Sequence, residues 1–336
     1  MRKLISIVTP CFNEEGNVQE LHRRIAAVFA ELPDYDYEHV FIDNASTDRT
    51  VDEVKAIAAT DRRVKLIVNT RNFGHVRSPV YGMLQAAGDA VVLMASDLQD
   101  PPELIRQFVR EWENGFKVVL GIKRQTVESF AMRIVRKAYY SLVCRLSEID
   151  LARDNTGFGL YDRAVVDVLS RIDDPYPYLR GLVSDVGFAA AKVEFVKPAR
   201  ARGITKNNFY TLYDLAMLGI TSHSKVPLRV ATMLGFALSG LSLVVAAIYL
   251  VLKLLYWNQF SLGLAPLVIG LFLFSSVQLF FIDIIGEYVG AIHTQVLKRP
   301  LVVERERVNF EHAAPLDPAV TALRSIPEEP RRVDAR

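Results

Sequence analysis

Cysteine is nearly missing: Cys11 and Cys144 are the only two in 336 residues. Their separation has no metal-ligand spacing, and a disulfide between them is not expected in a reducing compartment. An excess of either charge is missing too, since 40 basic and 38 acidic side chains leave a formal +2. That excludes the strong basic footprint of a nucleic-acid binder, and no nucleic-acid partner is expected. There is no internal repeat. The start, MRKLISIVTP, is basic but has only a short apolar run and no small-residue cleavage site. It reads as a first strand and not as a signal peptide.

What is present is unevenly spread. Up to about Lys225 the apolar residues recur periodically; from Val230 to Tyr288 they are concentrated. In the first part, Leu4–Thr9, Glu38–Asp43, Val64–Val68, Ala90–Met94 and Val118–Ile122 read as strands. Helical stretches alternate with them, the first from about Glu15 to Leu32, and Thr47 with Thr50 and Glu53 supplies cap chemistry for the second. This alternation predicts an α/β domain with a mostly parallel sheet. Thr126–Ile149 reads as a long helix, Asp162–Ser170 as a shorter one, and Val186–Val196 as a strand. Arg200–Asn208 is a basic loop, and Phe209–Ile220 has the periodicity of a helix that either packs on the domain or lies in a membrane interface, the second favoured by its position before the apolar region.

The stretch Met94–Glu103, MASDLQDPPE, carries the chemistry. An apolar strand stops at Ser96 and delivers Asp97, Gln99 and Asp100 to its C-terminal end, where ligands bind in open α/β sheets. Such oxygens suit a hard divalent cation that also touches substrate phosphates. Pro101 and Pro102 end the strand, and Pro102 is placed to open the next helix. Alone, the ten residues fit an ordinary acidic turn equally well.

Val230–Leu252 and Leu264–Ile282 are long enough to cross a hydrocarbon core, which needs about 20 residues. Lys253, Tyr256 and Trp257 sit where aromatic and basic anchors are expected. The loop between the spans lacks Lys and Arg, whereas Lys225 and Arg229 precede them and Lys298, Arg299, Arg305 and Arg307 follow. The positive-inside rule then puts both ends in the cytoplasm. From Ala313 the composition predicts a disordered tail. The expected division is a catalytic domain at 1–205, an interfacial helix at 206–228, a membrane hairpin at 229–290, a juxtamembrane segment at 291–312 and a tail at 313–336.

Seven motifs occur in an order and spacing that together are specific. They are Val8–Glu14, Ile42–Asp48, Asn72–Gly74, Asp97–Glu103, Arg180–Leu182, Gly203–Lys206, and Gly286–Tyr288 before Arg299–Pro300. In these the chain resembles family-2 glycosyltransferases of GT-A, Rossmann-like fold. The resemblance is to the branch of dolichol-phosphate mannosyltransferase and the bacterial polyprenyl-phosphate glycosyltransferases, and it runs from about Ile5 to Arg299. It implies a nucleotide-sugar donor, a polyprenyl phosphate acceptor, a lipid bilayer partner, a bacterial inner-membrane location and a possible homo-oligomer. Pro10, Phe12, Glu14, Asp43 and Asn72 would bind the donor, though Asp43 also suits a helix-capping turn. Asp97 and Gln99 would bind Mg2+ or Mn2+ at the diphosphate. Arg200, Arg202 and Lys206 would clamp phosphate. Arg124, Arg133, Arg136 and Lys137 would hold the acceptor phosphate or, equally, anionic headgroups.

Two positions depart from the family pattern. Ala95 stands where a carboxylate is usual two residues before Asp97, and Gly157 replaces another. The alternate position of Asp100 along the strand argues against it as the substitute. Asp154 and Asp185 are candidates for the catalytic or acceptor-positioning role. The departures leave open a second possibility, a catalytically weakened membrane scaffold.

Overall fold

The computed structural model describes residues 2–123, 155–196, 217, 226–256 and 264–310. The expected helix at 126–149, the basic loop at 200–208, nearly all of the interfacial helix and the tail lie outside the described residues.

One eight-stranded sheet organises the catalytic part, in the order β7-β5-β6-β4-β1-β2-β3-β8. The strands are β1 Lys3–Cys11, β2 Tyr35–Asp43, β3 Val64–Asn69, β4 Ala90–Leu93, β5 Val118–Lys123, β6 Asn155–Asp162, β7 Ala190–Phe195 and β8 Glu304–Val308. β4, β1, β2 and β3 pair in parallel, as do β5 and β7; β6 and β8 run against their neighbours. This is the mostly parallel GT-A arrangement expected from the sequence, with β6 and β8 as the exceptions.

The central strands are apolar on both faces because helices cover both. Alternation along the pleat sends Ile5, Ile7, Val92 and Met94 to one side, against α1 (Asn17–Ala30) and α4 (Ile105–Glu113). Val8, Ile42, Val91 and Leu93 go to the other side. There they meet α3 (Gly74–Gln85), α5 (Arg163–Ser170) and α6 (Leu179–Val186). α2 (Thr50–Thr60) packs beside β3. α3 lies so close to the sheet that a Cβ on Gly82 would sit 2.8 Å from Val8 Cγ1.

Several boundaries differ from the sequence expectation for local reasons. α1 starts only at Asn17, because Gly16 takes a left-handed φ of 77°. The expected strand Val186–Val196 is shorter: α6 takes Val186 and ends at left-handed Gly187, and β7 starts only at Ala190. At the start of α2, Asp48 and not Thr47 receives the Thr50 backbone N–H, at 3.0 Å. Pro102 does open the next element, a single 3-10 turn leading into α4.

Two helices, α7 (Val226–Leu255) and α8 (Leu264–Val296), are long and apolar enough to cross a membrane. α8 continues well beyond the Ile282 boundary read from the sequence. Near its end, Gln295 Nε2 donates to Asp174 Oδ1 at 2.8 Å, and Lys298 Nζ pairs with Asp173 Oδ2 at 2.9 Å. The chain then returns to the sheet as β8, a strand not foreseen from the sequence. Glu306 pairs with Lys55 of α2 at 2.7 Å, and Arg307 reaches Gln85 of α3 at 2.6 Å. Asn309 Nδ2 donates to the carbonyls of Ala58 and Val64.

Candidate active site

The chain lays β2 and β3 on one side of β1 and then crosses to place β4 on the other. Such a switch opens a crevice beyond the C-terminal strand ends. Short bonds weld the two sides of it. Met94 N donates to Val8 O at 3.1 Å, Ser96 Oγ to Pro10 O at 3.1 Å, and Asn44 N to Cys11 O at 2.9 Å. The loops leaving β1, β2 and β4 each contain a non-glycine residue in the left-handed region: Asn13 at 55°, Ala45 at 61° and Leu98 at 59°. Strained backbone of this kind clusters at working sites.

The turn after β4 holds Asp97 and Asp100, both buried. Asp97 Oδ1 receives the Gln99 N–H at 3.1 Å. Asp100 Oδ2 receives the Ala95 N–H at 3.0 Å, so this carboxylate closes the turn it belongs to. Among the described residues no group of three or more His, Cys, Asp or Glu side chains is arranged around a common point. Asp97 and Gln99 offer two oxygen donors, which fits a cation that draws further ligands from substrate phosphate and water.

Gly157 has a physical reason of its own. Its φ is 91°, beside an irregularity in the pairing of β5 with β6. A side chain there is strained whatever the space around it. The departure is thus built into the strand and is not a simple loss of one carboxylate.

The first two loops form one unit. Asn13 N donates to Ser46 Oγ, Glu14 N to Thr50 Oγ1, Glu15 N to Asp48 Oδ2 and Gly16 N to Glu53 Oε2, at 2.8–3.1 Å. Pro10, Phe12 and Glu14 are half-buried along it, and Glu14 receives Asn17 Nδ2 at 2.7 Å. Asp43 is buried at the end of β2 and receives both the N–H, at 2.9 Å, and the hydroxyl of Ser46. Burial pushes its carboxyl pKa up; Ser46 and the charge of Arg305 only partly offset this. Asn72 is exposed, and its side-chain Oδ1 receives the Gly74 N–H at 2.8 Å at the start of α3.

Asp185 is exposed on α6. Asp154, Arg124, Arg133, Arg136, Lys137, Arg200, Arg202 and Lys206 lie outside the described residues. A buried amide and hydroxyl cluster under the site has no signature in the sequence. Asn44 Oδ1 receives Asn69 Nδ2 at 3.1 Å, the Phe73 N–H at 3.3 Å and the Ser78 hydroxyl. It locks the ends of β2 and β3 to α3, and no periodicity marks its members.

A crevice at a switch point of a mostly parallel sheet, edged by an acidic turn, is where α/β enzymes bind their ligands, and sequence comparison gives the class. The chain belongs to glycosyl transferase family 2, whose profile matches residues 6–167. It is 35% identical over 308 residues to an uncharacterized glycosyltransferase of Bacillus subtilis, YkcC, covering 91% of this chain and 95% of that one. It is 34% identical to the SfII prophage-derived bactoprenol glucosyl transferase of Shigella flexneri, over 88% of this chain and 96% of that one. Among solved structures, a mannosyltransferase from Pyrobaculum calidifontis in complex with GDP-Man and Mn2+ superposes with a TM-score of 0.46. That match has 16% identity and covers 89% of this chain and 87% of the other.

Proposed function

We propose that the chain transfers a sugar from a nucleotide-sugar to polyprenyl (undecaprenyl) phosphate, with inversion at the anomeric carbon. One juxtaposition carries this reading: the Asp97 turn at the switch point occurs in a chain whose last two helices have membrane length. Relatives named as bactoprenol glucosyl transferases, from Shigella flexneri and from Shigella phages, support the lipid acceptor. The oxygen of the lipid phosphate forms a bond to the anomeric carbon. The bond from that carbon to the diphosphate breaks, and its electron pair leaves with the nucleoside diphosphate. The nucleophile is already ionised near neutral pH, so no side chain has to remove a proton.

Asp97 and Gln99 are the residues that would hold Mg2+ or Mn2+. Bound there, the cation supplies charge stabilisation for the departing diphosphate. Pro10, Phe12, Glu14, Asp43 and Asn72 would enclose the nucleoside. Arg200, Arg202 and Lys206 would take the phosphates. Arg124, Arg133, Arg136 and Lys137 would face the lipid, with Asp154 or Asp185 positioning the acceptor. In this reading α7 and α8 cross a bacterial inner membrane and leave the sheet domain and both termini in the cytoplasm. The product serves as a sugar donor beyond the membrane.

The test is sugar transfer by detergent-purified protein. It is offered undecaprenyl phosphate and a panel of labelled nucleotide-sugars, with Mg2+, Mn2+ or chelator. A metal-dependent glycolipid is expected, reduced by about 100-fold or more in Asp97→Asn, the scale on which a single electrostatic stabiliser acts. Nucleotide binding without product from any donor would overturn the transfer reading in favour of a scaffold.

A further inference from the structure

We propose that Arg77, in the first turn of α3, forms an anion site for the phosphate of the lipid acceptor, next to the docked end of α8. The inference rests on the transfer reading above. Arg77 is half-buried, and its Nε is enclosed and has no hydrogen-bond partner. Among the described residues no carboxylate pairs with it. Its guanidinium carbon stands 5.2 Å from the centroid of the Tyr176 ring. A ring face attracts a cation but replaces only part of the hydration lost on burial. An enclosed N–H left without an acceptor costs stability unless an acceptor arrives.

A second guanidinium is within electrostatic reach of His75. Arg180, at the start of α6, acts electrostatically on His75, which lies two residues before Arg77. The His75 pKa is lowered, first by loss of water around the ring and then by that charge. Two arginines and an imidazole thus gather where α3 and α6 begin. The acids of the neighbouring loop are committed elsewhere. Asp174 receives Tyr176 N and Gln295 Nε2, each at 2.8 Å, and Asp173 pairs with Lys298.

These bonds give the cluster its direction. The loop that carries Tyr176 is the joint between α8 and the sheet domain. On the other side, Ser78 follows Arg77 and donates to Asn44, the residue after Asp43. Arg77 therefore stands between the end of an apolar helix and the loops read as the donor site. A phosphate monoester on a lipid matches the forked donors of arginine and would reach this joint as it leaves the bilayer surface. A donor diphosphate has the same chemistry, so the experiment has to separate the two.

Full-length protein in phosphatidylcholine nanodiscs is titrated with undecaprenyl phosphate and, separately, with UDP and GDP. Arg77→Gln is expected to weaken undecaprenyl phosphate binding about tenfold or more, the loss of one charge-assisted contact. Nucleotide affinities stay within about twofold, as for a group distant from them. Arg77→Lys recovers part of the lipid affinity. Unchanged lipid affinity in Arg77→Gln overturns the site while leaving the transfer reading intact. A loss confined to UDP or GDP overturns the acceptor assignment and gives the site to the donor. Equal competition by phosphatidylglycerol shows headgroup attraction and overturns it as well. Wild-type protein that ignores undecaprenyl phosphate altogether overturns the transfer reading, and the ligand named here with it.

Discussion

The sheet domain and the α7–α8 pair use the same side chains in opposite ways. Ile5, Ile42 and Phe108 are wholly enclosed, and Phe108 lies 4.8 Å from Phe158, centroid to centroid. On α7 and α8, Phe236, Leu243 and Val296 are each more than 70% exposed. Large apolar side chains stabilise a fold only when something other than water surrounds them. In the sheet domain that surrounding is the chain itself; for the helices it has to come from outside. The sheet domain is built from long-range pairings, whereas a lone helix satisfies its backbone internally, as a segment in lipid must.

The contrast is most easily broken by a pair of truncations followed by unfolding in detergent. Phe108→Ala is expected to cost about 3–5 kcal/mol, as for other buried phenylalanines. Phe236→Ala should cost less than about 0.5 kcal/mol, as at sites without protein contacts. A loss at Phe236 equal to that at Phe108 would mean that protein, not lipid or detergent, covers α7. Gly157→Asp has a smaller effect. Restoring the acid usual in the family forces a side chain onto left-handed backbone, at about 1–3 kcal/mol. Lower stability with no gain in sugar transfer is expected; faster transfer would show that the missing carboxylate, and not the bulge, limits the site.

The smallest effect is a pH dependence confined to the sheet domain. His39 is buried, with Nε2 3.0 Å from Thr9 Oγ1 and its ring stacked on His22, whereas His293 on α8 is exposed. Burial holds the His39 pKa well below its ordinary 6.5, and that of His22 below the same value. Both rings therefore take up protons at lower pH in the fold than in the unfolded chain, which does so as pH falls through 6.5. Their contribution is therefore complete above that pH and is lost as pH falls from there toward their folded values. The slope per histidine is at most about 1.4 kcal/mol per pH unit. Unfolding curves between pH 7.5 and 5 should flatten in His39→Gln; an unchanged slope would place the titration elsewhere.

How far each feature could be read ahead depended on the range of its interactions. β1 to β4 were visible because their apolar, β-branched runs end in polar turns. β8, whose sequence is Glu-Arg-Glu-Arg-Val, was not, because its partners Lys55, Gln85 and Val64 lie more than 200 residues earlier. α6 was not legible, because eight residues between the Pro175–Tyr178 loop and the strand expected from Val186 are too few to show a helical period, and only the left-handed turn at Gly187 separates helix from strand. In the site, the turn with Asp97 and Gln99 was legible from local order. The Asn44–Asn69–Ser78 cluster and the unpaired charge of Arg77 were not.

Local pattern in the chain was enough to specify the alternation of strands and helices, the acidic turn that ends β4 and the two long apolar helices. Each depends on periodicity or composition within a few turns of chain. The tertiary structure decided the sheet order, the return of the chain to the sheet edge after α8, the closing role of Asp100 and the company of Arg77. Those outcomes depend on which distant hydrogen-bonding and charged groups are left without water when the sheet closes, and no local pattern encodes that pairing.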